Sequence, residues 1–112
     1  MSPNPAVQLL LWRDCPSWEE ALALLRDEME AAGLDPRSLD VREIRTDADA
    51  EQEEFVGSPT IRIDGRDLQP PGDEPIGLSC RVYRLRDGRV SPLPDRDDVR
   101  DTLRRAIHAG GT

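Results

Sequence analysis

The stretch "AVQLLLWRDCPSW", residues 6–18, changes character near its middle. Residues 6–12 form a short apolar run of the kind found in buried strands. The run stops at the polar residues Arg13 and Asp14, and a cysteine, Cys15, follows at once. The stretch therefore predicts a buried strand that ends just before Cys15.

A helix is predicted directly after this strand. Gly33 is suited to close the helix, and Pro16 is predicted in its first turn, where a missing N–H group costs nothing. Cys15 is therefore expected at the helix N-terminus. Spacings of three and four place the apolar residues on one helical face, namely Trp18, Ala21, Leu22, Leu25, Met29 and Ala32.

A second strand is predicted over "LDVREIR", residues 39–45. Apolar side chains alternate through Leu39 and Val41, and Glu43 continues the same phase, whereas Ile44 falls out of phase. A half-buried strand has a period of two residues. The pattern therefore indicates a strand and leaves its register open.

A short acidic helix is predicted over residues 47–55. Thr46 and Asp49 have the spacing of a weak capping box, in which each side chain bonds the backbone N–H of the other. Gly57 is placed to end this helix.

The clearest local pattern is "SPTIRIDGRDLQP", residues 58–70. Ile61 and Ile63 are strand formers, and the Asp64-Gly65 pair is the sequence that two-residue hairpin turns favour. We therefore expect a β-hairpin here.

A loop, a second hairpin and a helix are predicted in the C-terminal part. Three prolines and two glycines exclude a helix from residues 70–79. Val82 and Leu85 alternate before another Asp-Gly turn at residues 87–88, which indicates a small hairpin or an extension of the sheet edge. The last helix is predicted from the cap Asp95 to Gly110-Gly111, with an apolar face of Val99, Leu103, Ala106 and Ile107.

Length and charge limit the possible functions. The 112 residues fit one domain over residues 1–112. With 15 basic and 23 acidic residues the net charge is −8, so we expect no binding to nucleic acid, which needs a concentrated basic surface. Residues 1–12 lack the features of a signal peptide or a membrane span. We therefore expect a cytoplasmic protein without membrane contact, in which the two cysteines are kept reduced.

The predicted order is βαβαββα, with a Pro-rich loop and a small extra hairpin before the last helix, which is an α/β sandwich. Together with Cys15-Pro16 and "GSPT" at residues 57–60, this order resembles the thioredoxin and glutaredoxin fold. The resemblance implies that Cys15 is the nucleophile and that Pro59 is a cis-proline facing it. The family's second cysteine is replaced here by Trp18, so the chain has no CxxC motif.

Four segments carry a narrower resemblance: "DCPSW" (14–18), "GSPT" (57–60), "DGRDLQPPGD" (64–73) and "GLSCRVYR" (77–84). In this order they resemble the bacterial DF family (seleno)proteins and proteins described as alkylmercury-lyase-like. The resemblance covers about residues 7–107 and implies a thioredoxin-like fold, without implying a particular substrate.

Cys15 is the first candidate for chemistry. Unpaired N–H groups and the positive end of a helix dipole favour the thiolate, which is the reactive form of cysteine. Asp14 and the acidic total favour the neutral thiol instead. The alternatives are a reactive thiol and a partly buried structural cysteine, and the Cys-Pro context favours the reactive one.

Cys80 is the second candidate. If the strand after Pro59 runs antiparallel to the first strand, the chain returns after the Asp64-Gly65 turn to the end of the sheet that holds Cys15. Cys80 could then lie within the Cα separation of about 4.4 to 6.8 Å that a disulfide requires and serve as a distal resolving thiol. Alternatively, it is an ordinary small side chain at the start of a strand.

Five further residues are predicted to contact a substrate: Pro16, Trp18, Ser58, Pro59 and Thr60. A cis-proline at position 59 leaves the backbone of Ser58 free to pair with an extended substrate or thiol ligand. Trp18 either shields Cys15 or packs in the core, and the core is favoured. Near Cys80, Arg81 and Arg84 either stabilise a thiolate or dock an anion, or are simply solvated.

Two classes of function follow. The first is a thiol redox protein in which Cys15 attacks a disulfide or similar electrophile and Cys80 or an external thiol resolves the product. The alternative is a non-catalytic binding module for a protein, a thiol ligand or a soft metal ion. We expect a thiol or disulfide substrate or a partner protein, a monomer or weak dimer, and neither a cofactor nor a resident metal, because His108 and the two cysteines have no zinc spacing.

Overall fold

The computed structural model of the protein describes residues 4–110. Within that range none of the helices is long and apolar enough to cross a membrane. Six strands and three α-helices form in this part of the chain, in the α/β order predicted: β1 (Val7–Leu11), α1 (Trp18–Ala31), β2 (Asp40–Glu43), α2 (Asp47–Glu53), β3 (Thr60–Ile63), β4 (Arg66–Asp67), β5 (Tyr83–Arg84), β6 (Val90–Ser91) and α3 (Arg96–Gly110).

Four strands form one mixed sheet in the order β2-β1-β3-β4. β1 pairs parallel with β2, with Leu9 opposite Val41, and antiparallel with β3, with Leu9 opposite Ile61. β4 returns antiparallel beside β3. This arrangement explains why β1 reads as a continuous apolar run, since a strand covered on both faces has no polar side.

The two faces of β1 pack against different helices. Leu9 and Leu11 belong to a core cluster that includes Leu25 of α1 and Leu103 of α3. Leu10, which points the other way, belongs to a second cluster with Ile44, Ala50 and Phe55. Helices therefore cover both faces of the sheet, with α1 and α3 on one side and α2 on the other.

The predicted side-chain alternation in the second strand is wrong. Val41 is 41% exposed, and the buried residues of this region are Leu39 and Ile44, which flank β2. β2 is the edge strand of the sheet, beside β1 alone. The side chains of Asp40 and Arg42 on the strand face solvent and form an ion pair at 3.0 Å. The strand is therefore held by its pairing with β1 and by the buried residues Leu39 and Ile44 on either side of it.

The capping box of α2 is confirmed, whereas the predicted end of the helix is wrong. Thr46 Oγ1 accepts from the N–H of Asp49 at 3.1 Å, and the Asp49 carboxylate accepts from the N–H of Thr46. The helix ends at Glu53, before the predicted Phe55, because Glu54 adopts a left-handed conformation with φ 54°. Phe55 thereby leaves the helix and is fully buried in the core.

Both predicted hairpins are present. Asp64 and Gly65 have φ values of 54° and 79°, as a two-residue turn between twisted strands requires. In the second hairpin Tyr83 pairs with Ser91, and the phase differs from the prediction, since Tyr83 is buried and Val82 is 63% exposed. Residues 70–79 contain no helix or strand, as expected.

The last helix packs as predicted. Val99 and Leu103 are fully buried, and Ala106 and Ile107 pack against the same core cluster. α3 extends to Gly110, while the second glycine of the predicted stop, Gly111, lies outside the described residues.

A buried carboxylate joins α1 to α3. Glu28 is 4% exposed, and its oxygens accept from Arg96 at 2.8 Å and from Arg100 at 3.0 Å. The hydrogen bond from Arg100, with that from Arg96, lowers the pKa of Glu28 below its ordinary 4.5 although burial opposes this. Glu28 is therefore ionised in the folded protein at neutral pH.

Glu28→Gln should destabilise the protein by about 1–3 kcal/mol at neutral pH, the usual magnitude for hydrogen bonds to a charged group. A carboxyl whose pKa is depressed on folding stabilises above its unfolded pKa and loses that contribution as the pH falls through the folded value. The difference between wild type and variant should therefore shrink below about pH 4.5. Urea unfolding followed by circular dichroism at pH 7 and pH 3 measures it.

Glu30→Gln is the matched control, because Glu30 is an exposed carboxylate on the same helix. It should change the free energy of unfolding by less than about 0.5 kcal/mol. An equal loss for Glu28→Gln at both pH values would contradict the assigned ion pair.

Candidate functional site

Cys15 lies in the turn between β1 and α1. Its N–H donates to the carbonyl of Trp12 at 3.0 Å, which closes the turn. The predicted position of Pro16 inside the helix is wrong: the cap is Ser17, whose carbonyl accepts the first helical hydrogen bond from Ala21 at 3.1 Å. Cys15 therefore precedes the helix cap by two residues, and Pro16 is exposed in the turn.

The thiol of Cys15 is enclosed by polar groups. The residue is 1% exposed. Its Sγ lies 3.3 Å from the hydroxyl oxygen of Ser17 and donates to the carbonyl oxygen of Ser58 at 3.4 Å. A sulfur surrounded by hydrogen-bonding groups can hold a negative charge that an apolar pocket could not.

The segment facing Cys15 contains the predicted proline. The peptide bond between Ser58 and Pro59 is cis, as the resemblance implied. Ser58, Pro59 and Thr60 are all buried. The hydroxyl of Ser58 makes no hydrogen bond to a described neighbour, yet it lies close enough to Cys15 to help lower the pKa of that thiol.

The backbone of Ser58 is not free, contrary to expectation. Its N–H donates to the carbonyl of Ser79 at 2.8 Å, and its carbonyl accepts from the N–H of Arg81 at 2.9 Å. Ser58 and Cys80 thereby form a parallel β-bridge. The chain itself occupies the groups that were predicted to bind an extended substrate.

The other predicted substrate contacts also have partners within the protein. The hydroxyl of Thr60 donates to the carbonyl of Gly57 at 2.6 Å, and the carbonyl of Pro59 accepts from the hydroxyl of Tyr83 at 2.5 Å. Trp18 packs against the main core under the guanidinium of Arg13, 5.6 Å from its ring centre. Thr60 and Pro59 therefore turn these polar groups toward the protein and not toward a ligand.

Cys80 reaches Cys15 by the predicted route. It is exposed, whereas Cys15 is buried, and both thiols are free. The two thiols lie close enough for each to shift the pKa of the other. The pairing of Cys80 with Ser58, whose carbonyl Cys15 contacts, holds the two side chains on one patch of the molecule.

The two thiols differ in acidity. Burial alone would raise the pKa of Cys15, but hydrogen bonding with Cys80 and Ser17 and the nearby hydroxyl of Ser58 outweigh it, so the pKa falls below the ordinary 9.0. The hydrogen bond to Cys15, together with burial and the negative charge there, raises the pKa of Cys80 to about 11. Cys15 is therefore the more acidic of the two thiols, and Cys80 holds its proton more tightly.

No pattern in the sequence indicates the anchor that holds Cys80 in place. Arg81 is 7% exposed, so it is neither solvated nor open to an anion. Its guanidinium donates twice to the carboxylate of Asp67, at 2.8 and 2.9 Å, and also to the carbonyl of Gln69. It stacks 4.6 Å from the ring centre of Tyr83. Arg84, three residues further on, is exposed.

No family model, curated protein or solved structure matches this chain.

Gly57→Ala should displace the segment that carries Cys80. A Cβ atom at residue 57 would lie 2.9 Å from Cβ of Arg81, and the residue has φ 138°, which side chains rarely adopt. We expect a loss of about 1–3 kcal/mol in the free energy of unfolding. Gly72→Ala is the control, because its nearest neighbour is 3.8 Å away; equal effects of the two variants in urea unfolding would disprove the close approach.

Removing either thiol should shift the pKa of the other. Cys80→Ala should raise the pKa of Cys15, which loses a donor, and Cys15→Ala should lower that of Cys80 from about 11 toward 9.0. Thiolate absorbance near 240 nm as a function of pH measures both. If Cys80 titrates at the same pH with and without Cys15, the hydrogen bond between the sulfurs is absent.

Proposed function

We propose that this chain is a thioredoxin-like thiol redox protein whose working groups are Cys15 and Cys80. The two thiols form one intramolecular disulfide, which external thiols reduce again. The observation that carries the proposal is the pairing of Cys80 with Ser58, whose carbonyl lies 3.4 Å from the sulfur of Cys15. Two cysteines far apart in sequence are thereby held against each other.

The order of the sheet supports the thioredoxin-like part of the proposal. A parallel pair, β1 and β2, is extended by the antiparallel strands β3 and β4. Cys15 follows β1 directly, and Ser58-Pro59 precedes β3. The reactive cysteine and the segment facing it thus stand at the same end of neighbouring strands.

The difference in acidity between Cys15 and Cys80 supports the redox part of the proposal. A thiolate is the attacking form in thiol–disulfide exchange, and a thiol of low pKa is also the better leaving group. The lowered pKa of Cys15 favours both roles, and Cys80 keeps its proton beside it. Oxidation joins the two sulfurs and removes two electrons and two protons in total, which an external disulfide accepts as it becomes two thiols.

The alternative is a module that binds a protein, a thiol ligand or a soft metal ion without turnover. Among residues 4–110, no three His, Cys, Asp or Glu side chains lie close enough together to hold a metal ion. A soft ion would therefore have Cys15 and Cys80 as its two sulfur ligands, a donor type that such ions select. An acidified thiol beside a second thiol favours exchange chemistry, so this function ranks second.

Mild oxidation of the reduced protein tests the proposal. With hydrogen peroxide or a small disulfide as oxidant, we expect the monomer to lose two hydrogen atoms and peptide mapping to find Cys15 joined to Cys80. The Cys15→Ser and Cys80→Ser variants should not form the bond. If both thiols of the folded wild type stay reduced under these conditions, the redox function is refuted, and tight binding of mercury(II) by the same protein would then support the module.

A further inference from the structure

Residues 77–81, here called the Cys80 segment, lie along the chain that precedes β3. Gly77 donates to the carbonyl of Phe55 at 3.0 Å, and the N–H of Ser58 donates to Ser79 at 2.8 Å. Leu78 packs against the cluster that contains Phe55. The Cys80 segment is therefore built into the fold over its whole length.

The far end of the segment is fixed more firmly. Arg81 bridges to Asp67 of β4, and both side chains are largely buried, at 6% and 13% exposure. Such a pair resists opening, since separating the charges leaves each of them poorly solvated. An extended polypeptide that competed for the backbone of Ser58 would have to displace this anchor.

The two sulfurs differ in access. Cys15 is 1% exposed, whereas Cys80 is exposed. An external sulfur atom can therefore reach Cys80 without any movement of the protein, while a direct approach to Cys15 requires the site to open.

From this geometry we infer that the substrates are low-molecular-weight thiols and their disulfides, and that the external group is carried on Cys80 and not on Cys15. The inference rests on the proposed redox function and deepens it. Cys15 acts only inside the protein, on the sulfur of Cys80. Polypeptides gain no recognition from Ser58, because the Cys80 segment already occupies its backbone.

The exchange with an external thiol takes place in two steps. A thiolate RS⁻ attacks the sulfur of Cys80 in the Cys15–Cys80 disulfide, the S–S bond breaks, and Cys15 leaves as a thiolate. A second RS⁻ attacks the outer sulfur of the resulting Cys80–SR group, releases RSSR, and leaves a Cys80 thiolate that takes a proton from water. In total, two thiols lose two electrons to the protein disulfide. Read backward, the same steps reduce RSSR.

The acidity of Cys15 suits this order of steps. The better leaving group in an exchange is the sulfur of lower pKa, and the hydrogen bonds to Cys15 lower its pKa. Attack at the accessible sulfur therefore expels the sulfur that best bears the charge.

Trapping with bis(2-hydroxyethyl) disulfide tests where the external group resides. This probe is uncharged, so the net charge of −8 does not repel it. We expect Cys15→Ser to gain one adduct on Cys80 at least about ten times faster than Cys80→Ser gains one on Cys15. If Cys80→Ser is loaded as fast or faster, the inference is overturned, while the proposed function stands as long as the wild type forms its disulfide.

A peptide probe tests the substrate class. A linear peptide of about twelve residues, carrying one cysteine as its mixed disulfide with 2-mercaptoethanol, should oxidise the wild type no faster than the small probe. A peptide that reacts ten times faster or more would overturn the inference.

Releasing the Cys80 segment should free the backbone of Ser58 to bind an extended peptide. In Arg81→Ala the rate with the peptide relative to the small probe should rise severalfold, while Arg84→Ala, which removes an exposed arginine three residues away, should leave this ratio unchanged. An unchanged ratio in a folded Arg81→Ala variant would argue against the segment as the obstacle. If that variant does not fold, the comparison of the two probes on wild type decides.

Discussion

The ion pair between Arg81 and Asp67 is the interaction on which the site depends. A buried ion pair adds little net stability, because removing both charges from water costs nearly what their attraction returns. Its effect here is positional. The guanidinium has five donors in a fixed plane, and a lysine could not reach Asp67, Gln69 and Thr60 at once. Arg81 thereby fixes the Cys80 segment against Ser58 and sets the position of the second sulfur.

Cys15 is the more acidic of the two cysteines, whereas Cys80 is the more accessible. Burial normally favours a neutral thiol, but the donors around Cys15 reverse that preference, and one of these donors is Cys80 itself. The same hydrogen bond makes the exposed sulfur the less acidic one. Neither cysteine has both properties alone, so the proposed exchange chemistry requires the pair and would be lost if the segments that carry them separated.

Local patterns predicted most of the fold and only part of the site. The apolar run of β1, the periodicity of α1 and the Asp64-Gly65 turn each depend on neighbours in sequence, and all three were read correctly. The burial of Arg81 and Tyr83 depends on β4 and on the carbonyl of Pro59. In "CRVYR", residues 80–84, the aliphatic character of Val82 suggested that its side chain points into the core. The buried side chains are instead those of Tyr83 and of Arg81, which stacks on the Tyr83 ring. The pairing of Ser58 with Cys80 depends on tertiary contacts that no local pattern encodes.

The way the two sulfurs are brought together determines what can control them. In a CxxC motif both cysteines belong to one helical turn, so local backbone geometry sets their distance. Here residues 77–81 must stay anchored for the sulfurs to meet, and a disulfide between them would in turn hold the segment in place. Because free energy depends only on the two end states, the anchor stabilises the disulfide by as much as the disulfide stabilises the anchored segment. Any ligand or contact that loosens Arg81 would therefore shift the proposed thiol–disulfide equilibrium toward the reduced form, without touching either sulfur.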